Sequence, residues 1–585
     1  SRTSPTSSPT SERSSSACSA AIADGDDLGP YLTARLPNPF ASVCGRVCAA
    51  PCVDACRRGA IDRPIAIRAL KRFVTEQYGP ETGNDTSTSK VAAPPADVRP
   101  QSIGIVGGGP AGMACAHDLR RLGYKVTVYE ATDKLGGAMW LGIPEYRLDR
   151  DVLNADIQAI LDLGVDVEYE TRLGDDVSLA ELRERHDAIF LGIGATLGRG
   201  LDIEGAEGDG VFKAIEFLIN MNRGFAVEVG ERVVVIGGGD VAMDAARTAL
   251  RASEYGDQAD ASDETAEQRS SMTEAIDVAR TAARAGAREV TVSSLEARHE
   301  MPAHDFEVEE AEHEGIDFVP RRGPAKILLD DNKVTGIETT GVKSVFDEEG
   351  RFAPVFDEGD TKIYEADTVI LAIGQAIDLD ALGDQGPEIS PRRTIQIDWD
   401  TGATDLADIW SGGDAAKGPR TLIDAVADGR RSAQAIHESF GGTARDPQDG
   451  VLVTLDQFHR LDDGYDRTPR VSVPTLDTGR RIGLAEVELG FTPEQARCEA
   501  ARCLRCFANI MLDVDKCVLC ALCADVCPVD VISLIPSEEV QPGAPVGGTA
   551  LLLDEERCIR CALCIERCPP NALSMGVWKG VGVPS

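Results

Sequence analysis

Basic charge is in short supply in this chain. Its 59 lysines and arginines face 97 aspartates and glutamates, a formal net charge of −38. A surface so acidic repels phosphate backbones and anionic headgroups, which excludes nucleic-acid binding as a main role. Long apolar runs are also missing. No stretch approaches the roughly 18 to 20 residues needed to span a bilayer, and residues 1–20 show neither the basic start nor the apolar run of a secretory signal. The expectation is a cytoplasmic protein with no transmembrane segment. Histidines number only 7 and stand scattered. His299 and His304 flank a loop, but isolated histidines of that kind are usually inert, and neither is given a role. No G-x-S-x-G turn is present and no C-x4-C pair stands beside a glycine-rich loop, so nucleophilic and dithiol chemistry lack their usual carriers. No catalytic side chain is assigned.

What is present is a chain of 585 residues, too long for one core, with 43% hydrophobic and 27% charged residues, ordinary proportions for a globular protein. The expected fold class is α/β. Two Rossmann-like dinucleotide-binding domains would be preceded by a small helical iron–sulfur domain and followed by an α+β ferredoxin-like domain with two [4Fe–4S] clusters. Residues 1–37, rich in Ser, Thr and Pro, read as a mobile tail. Residues 38–100 hold a helical cysteine-rich module and a polar linker. An FAD-binding domain would occupy 101–225 and 356–445, a nicotinamide nucleotide domain 226–355, a connecting region 446–510 and the ferredoxin-like module 511–585. The acidic, aperiodic stretch from Arg251 to about Glu274 reads as an insertion in a crossover.

Two glycine fingerprints follow apolar strands. Gly107, Gly109 and Gly112 make G-x-G-x-x-G, in which glycine permits the tight turn, the close approach of pyrophosphate and the packing of helix on strand. Glu130 ends the next strand, where a ribose hydroxyl needs an acceptor. Gly136 and Gly137 add a second close approach, and Gly413 with Asp414 precedes a further helix, which favours FAD at this first site. The second fingerprint is Gly237, Gly239 and Ala242, and the nicotinamide nucleotide is expected there. A cofactor with a 2′-phosphate calls for arginine at the end of the following strand, whereas Leu295 and Glu296 stand there, so NAD is favoured over NADP.

Most of the 17 cysteines sit at metal-ligand spacings. Cys517, Cys520, Cys523 and Cys527 precede a proline as C-x2-C-x2-C-x3-C-P, and Cys558, Cys561, Cys564 and Cys568 repeat the pattern. In this arrangement the fourth cysteine crosses to the other cube. One [4Fe–4S] cluster is therefore expected on Cys517, Cys520, Cys523 and Cys568, and the other on Cys558, Cys561, Cys564 and Cys527. Paired structural zinc sites are the competing reading. Cys44, Cys48, Cys52 and Cys56 recur every fourth residue, and a straight helical stripe could not wrap a cube. Gly45, Pro51 and Gly59 argue for irregular backbone, so one N-terminal [4Fe–4S] cluster is expected on these four. Cys503 and Cys506 form a C-x2-C with Cys498 nearby and no evident fourth ligand, and are left open between ligands and plain thiols.

The succession CGRVC, first fingerprint, LGGAMWLGIPEYRL, GGGDVAMDAARTA, EMPA and IWSGGDA, spanning about residues 38 to 440, resembles the glutamate synthase small-subunit family, which includes the flavin half of dihydropyrimidine dehydrogenase. The resemblance implies FAD at Gly107, Gly109, Gly112, Glu130, Gly137, Arg147 and Asp414. It implies NAD(P) near Gly237, Gly239, Asp240, Val241 and Gly374. Arg147 enters only through it. The family usually carries an earlier cysteine group that supplies a pair of N-terminal clusters, whereas only Cys18 precedes Cys44 here. NADP-binding members carry paired arginines where Leu295 and Glu296 stand.

Nicotinamide exchanges hydride, clusters pass single electrons, and a flavin interconverts the two. The expected function is an NAD(P)H:acceptor oxidoreductase of the ferredoxin type. Its partner would be a ferredoxin or the catalytic subunit of a larger complex, such as a 2-oxoacid oxidoreductase or glutamate synthase. The alternatives are an electron-bridging or assembly subunit without nucleotide turnover, and an electron-bifurcating flavoprotein subunit.

Overall fold

The computed structural model describes residues 17–83, 98–225, 227–255, 287–383, 385–443, 450–455, 460–461, 464–481, 483–540 and 547–580. The expected insertion falls largely outside these residues, as does the first part of the expected tail. The chain divides into two compact units, one comprising Ser1–Ala92, Thr443–Pro474 and Leu489–Ser585, the other Ala93–Gly442 and Thr475–Glu488.

The second unit contains two parallel sheets. In the first, strands run in the order Ile409–Ser411, Ala188–Leu191, Ser102–Val106, Lys125–Tyr129, Asp166–Glu168. The all-apolar run AIFL of Ala188–Leu191 is buried at every position, as expected of a central parallel strand covered on both faces. The crossover helix Pro110–Arg121 starts with proline at its first position, where the missing N–H costs nothing. It packs on helix Leu422–Ser439 so closely that a Cβ on Gly429 would stand 2.0 Å from the Ala111 carbonyl oxygen.

The second parallel sheet has the order Val211–Lys213, Thr368–Leu371, Arg232–Ile236, Glu289–Ser293, Asp317–Val319. Two of its strands lie outside the expected limits of 226–355. Thr368–Leu371 is buried at all four positions, and pairs on one side with Val211–Lys213 and on the other with Arg232–Ile236. That apolar run needs cover on both faces, so it belongs inside this sheet rather than in the returning half of the first domain. An antiparallel three-stranded sheet, Arg322–Asp330, Lys333–Phe346 and Phe352–Glu365, lies in the chain between the parallel strands Asp317–Val319 and Thr368–Leu371.

In the first unit, helix Leu28–Arg35 stands where a mobile tail was expected. Its order has a clear source: Ile22 and Tyr31 are buried with Leu70, Phe73 and Val74 of helix Ile67–Tyr78. Phe491, Ala496 and Ala500 enter the same core, so the helical module is completed by a segment more than 400 residues further along the chain. The C-terminal module pairs strands Gly450–Thr454 and Ala508–Leu512 with Leu573–Gly580, and forms a hairpin of Ile532–Pro536 with Thr549–Leu553. Among the described residues no helix is long and apolar enough to cross a membrane.

Candidate functional site

The first glycine loop joins Ser102–Val106 to Pro110–Arg121. Gly107 has φ +98, and a Cβ there would lie 2.4 Å from the Gly192 carbonyl oxygen. A Cβ on Gly112 would meet the Gly107 oxygen at 2.0 Å. These two glycines are needed by the protein itself. Gly109 differs, since the nearest atom to its Cβ position is Gly137 Cα at 3.9 Å, which leaves room for a ligand at the helix N-terminus. Gly136 donates its N–H to the Gly108 carbonyl at 2.9 Å. Glu130 is buried at the end of its strand and accepts from Gly108 N at 2.8 Å and from Thr132 N at 2.9 Å. The loop and the acidic residue are thus built as one unit. On the far side Gly413, with φ +65, donates to Asp428, and Asp414 begins the helix Asp414–Lys417. Burial pushes the Asp414 carboxyl up to about 6, and the charges of Asp428 and Asp424 add to this against the Arg420 N–H and guanidinium.

The second loop repeats the plan. Gly237 has φ +146 and its Cβ position is 2.3 Å from the Ala372 oxygen, while nothing lies within 4 Å of the Cβ position on Gly239. Ala242 is fully buried against the sheet. The carboxylate Oε2 of Glu296 lies 2.9 Å from the Cβ position of Gly238, and that of Glu130 lies 3.0 Å from the Cβ position of Gly108. The two acidic residues therefore stand over the middle glycine of their loops in the same way. Leu295 turns aside to pack on Gly323. Arg298 is held by Glu312 at 2.9 Å and Asp305 at 3.8 Å. Asp240 accepts from both the backbone N–H and Nδ1 of His304, and Ala303 N donates to the Gly238 oxygen at 2.9 Å, so the EMPA loop is tied to the fingerprint. Sequence reasoning gave His304 no role, since the bond to Asp240 spans 64 residues. Val241 follows in the first turn, and Gly374, φ +109, accepts at its carbonyl from Arg199 N.

Arg147 has partners that no local pattern announces. Its guanidinium meets Asp244 at 2.7 Å and Glu307. From there a chain of buried charges runs on: Arg247 to Glu307 and Glu314, Arg251 to Glu314, and Arg481 to Glu310 and Glu314. The ring of Tyr146 lies against Arg251 and Arg247, with centroid distances of 4.3 and 5.0 Å. Arg147 thus ties the segment after the first glycine loop to the helix Asp240–Tyr255.

In the C-terminal module one cavity is lined by Cys527, Cys558, Cys561 and Cys564, the crossed set of the sequence pattern. Cys517 and Cys520 lie on one loop, Cys523 stands in the helix Leu522–Asp525 directly after it, and Cys568 packs in the same core as Cys523. The backbone repeats with the cysteines. Leu519, Ala521 and Asp530 have φ of 53, 64 and 49, and Arg560, Ala562 and Asn571 have 58, 66 and 50. Left-handed non-glycine residues cost energy and persist where the surroundings demand them. Here they curl each C-x2-C around a centre and turn N–H groups toward sulfur: Val531 N reaches Cys527 Sγ at 3.5 Å and Ala572 N reaches Cys568 Sγ at 3.2 Å. The donor set and the curl fit a cube.

Of the N-terminal cysteines, Cys44, Cys48 and Cys52 stand within electrostatic reach of Lys71, and Cys52 within that of Cys48 and Cys56. The free thiol of Cys44, on helix Ala41–Val47, hydrogen-bonds to Cys48. Cys52 and Cys56 also line a second cavity with Cys503 and Cys506. Burial pushes the Cys503 thiol up to about 12 and Cys506 up to about 11. Among the described residues no three His, Cys, Asp or Glu side chains converge on a point where one ion would sit.

Residues 101–429 match the pyridine nucleotide-disulphide oxidoreductase family, residues 19–82 match dihydropyrimidine dehydrogenase domain II, 4Fe-4S cluster, and residues 516–572 match the 4Fe-4S dicluster domain. The chain is 34% identical to the NADP(+)-dependent formate dehydrogenase subunit beta of Moorella thermoacetica, over 83% of this chain and 68% of that one. It is 33% identical to the NADPH-Fe(3+) oxidoreductase subunit beta of Geobacter sulfurreducens, over 81% and 70%. The small chain of glutamate synthase [NADPH] from Azospirillum brasilense is 30% identical, over 71% of this chain and 82% of its own length.

Proposed function

From the premise that this chain belongs to the pyridine nucleotide-disulphide oxidoreductase family, we propose that it moves electrons between NADH and a one-electron partner through FAD and three [4Fe–4S] clusters, as the nucleotide-reacting subunit of a larger complex. That it is an NAD(P)H-dependent oxidoreductase follows from its family and its oxidoreductase relatives. The observation that carries the reading is the pair of glycine loops, each with an open helix N-terminus and an acidic residue over its middle glycine. Such loops hold pyrophosphate through backbone N–H groups and ribose through the carboxylate.

Gly107, Gly109 and Gly112 with Glu130, Gly136 and Gly137 would hold one dinucleotide, with Gly413 and Asp414 closing its far end. Gly237, Gly239, Asp240 and Val241 with Glu296 and Gly374 would hold the other. Bound FAD supplies the exchange between hydride and single electrons. The residues at hand bind and orient, and none of them has to move a proton for the exchange. Arg147, which the resemblance places at the FAD site, is held by Asp244 and Glu307. Glu296 favours a free 2′-hydroxyl, because it would repel a phosphate in the place where Glu130 stands in the first loop. Two cubes would sit on the cysteines of the C-terminal module in the crossed arrangement, and one in the helical module.

The partner class, a ferredoxin or a catalytic subunit of the kind named for the relatives, rests on two-electron entry and one-electron exit. The test is Cys520→Ser. It should stop electron delivery to a ferredoxin while NADH still bleaches the flavin, since residue 520 and the glycine loops belong to separate compact units. Loss of flavin bleaching in that variant would contradict the division of labour.

A further inference from the structure

We propose that Cys52, Cys56, Cys503 and Cys506 together ligate the N-terminal [4Fe–4S] cluster, so that this cube clips two segments of chain that lie some 450 residues apart. The inference rests on the reading above that the helical module carries a cube, and replaces two of the ligands that the four-residue spacing suggests. It begins from the cavity that these four side chains line with Arg57 and Ile65.

The turn that carries Cys503 and Cys506 is the second observation. Its residues, C-L-R-C, echo C-V-L-C at 517–520 and C-I-R-C at 558–561. The backbone echoes them too: Arg505 has φ 51, where Leu519 has 53 and Arg560 has 58. In each case the left-handed residue stands two after the first cysteine and directly before the second. Arg505 N also turns back on Cys503 Sγ at 3.4 Å. A non-glycine residue pays for this conformation only where something requires it, and the two matching turns belong to the crossed cluster motif. The segment 502–507 thus has the local build of a cluster turn without the rest of a cluster motif beside it.

The missing thiols come from the helical module, and the junction is firmly set. Arg502 is fully buried between Asp62, at 3.0 Å, and Glu499, at 2.8 Å. Glu499 in turn accepts from Ala66 N at 2.8 Å, and Arg58 donates to the Arg502 carbonyl at 3.2 Å. Cys503 and Cys506 are thereby delivered to Cys52 and Cys56 at a fixed register. Cys44 and Cys48, by contrast, are free thiols joined by a hydrogen bond, and neither lines the cavity. Four thiolates with Arg57 and Arg58 among the lining residues suit an anionic cube. Cys506 also lies within the electrostatic reach of Cys558 and Arg560, which sets this cube beside the crossed cluster of Cys558.

The test uses the full chain, anaerobically reconstituted, with Ala at position 44, 52, 498, 503 or 506 in turn. Iron and sulfide per FAD are measured, and the EPR spectrum is recorded after dithionite reduction. Cys52→Ala, Cys503→Ala and Cys506→Ala should each lose about four irons and one EPR centre. Cys44→Ala and Cys498→Ala should keep both; Cys498 is exposed on the helix Pro493–Ala501. Full iron in both Cys503→Ala and Cys506→Ala, with loss in Cys44→Ala and Cys52→Ala, would overturn the proposal and leave the N-terminal cube on the four early cysteines. Full iron in every variant, with about eight irons in the wild type, would remove the N-terminal cube itself. Zinc in place of iron at this site would also overturn the proposal. Should an alanine variant fail to retain FAD, Cys506→Ser decides: a cube held by one serine oxygen gives one centre with shifted EPR lines, and an unshifted spectrum contradicts ligation by Cys506.

Discussion

Each glycine of a fingerprint does a different job, and the two loops let those jobs be separated. At Gly237 the backbone is left-handed and a Cβ would strike the Ala372 oxygen, whereas at Gly239 the same addition meets nothing in the protein. Gly239→Ala should therefore fold normally and raise KM for the nicotinamide nucleotide about tenfold or more, because its methyl group fills space that pyrophosphate needs. Gly237→Ala should instead lower Tm and cut the yield of folded protein. Equal thermal stability in the two variants, measured by calorimetry, would count against this assignment.

Glu296 carries the second residue-scale prediction. Wild type should prefer NADH over NADPH in kcat/KM by about tenfold, the worth of one charged contact of about 1.5 kcal/mol. Replacing Leu295 and Glu296 together by arginine should move the ratio toward NADPH. A wild type that already favours NADPH, as the names of the relatives cited above would have it, sinks the argument. Glu130 and Glu296 were legible in the sequence because strand, turn and helix lengths place them by simple counting. Arg147, Asp244 and His304 were not, because their bonds close over 64 to 160 residues and no local period records such pairing.

Between elements, the helix Asp240–Tyr255 is joined to the helix Asp305–His313 through Glu314. Burial alone would raise the Glu314 carboxyl, but hydrogen bonds and charge from Arg251 and Arg247 outweigh it and hold it near 2. A carboxyl with a folded-state pKa below its unfolded value of about 4.3 adds stability above that pH, and loses it as pH falls toward 2. Glu314→Gln should cost about 3–5 kcal/mol at neutral pH, since it leaves buried guanidinium groups short of a partner. It should also flatten the fall in stability between about pH 4 and pH 2. An acid limb as steep as that of wild type, followed by urea unfolding across this range, would contradict the role given to Glu314. At this scale the type of an element is written locally, and its membership is not. Thr368–Leu371 is a strand as its apolar run implies, yet it pairs in the second sheet, and sheet membership depends on neighbours remote in sequence. Helix Leu28–Arg35 follows a stretch of Ser, Thr and Pro, and the apolar residues that dock it, Tyr31 with Leu28, Leu32 and the earlier Ile22, are too few to stand out in the sequence.

Across the whole molecule, chemistry and architecture divide in the same way. One unit carries both glycine loops, and the other carries the cluster cysteines of both termini. The glycine loops and the C-terminal cysteine runs made this division legible, because each of those motifs is local in sequence. What was not legible is that residues 489–507 complete the helical module, since the burial of Phe491 and Ala496 beside Leu70 and Phe73 is recorded only in three dimensions. The central expectation is that electrons cross from a nicotinamide nucleotide to the clusters by way of FAD. The direct measurement is an anaerobic titration of the purified, FAD-loaded chain with NADH, recording the flavin band near 450 nm and the low-temperature EPR spectrum on the same samples. The account predicts that the flavin band bleaches and that signals of reduced [4Fe–4S] clusters rise with added NADH. A flavin band unmoved by both NADH and NADPH, in protein whose clusters dithionite reduces normally, would contradict it.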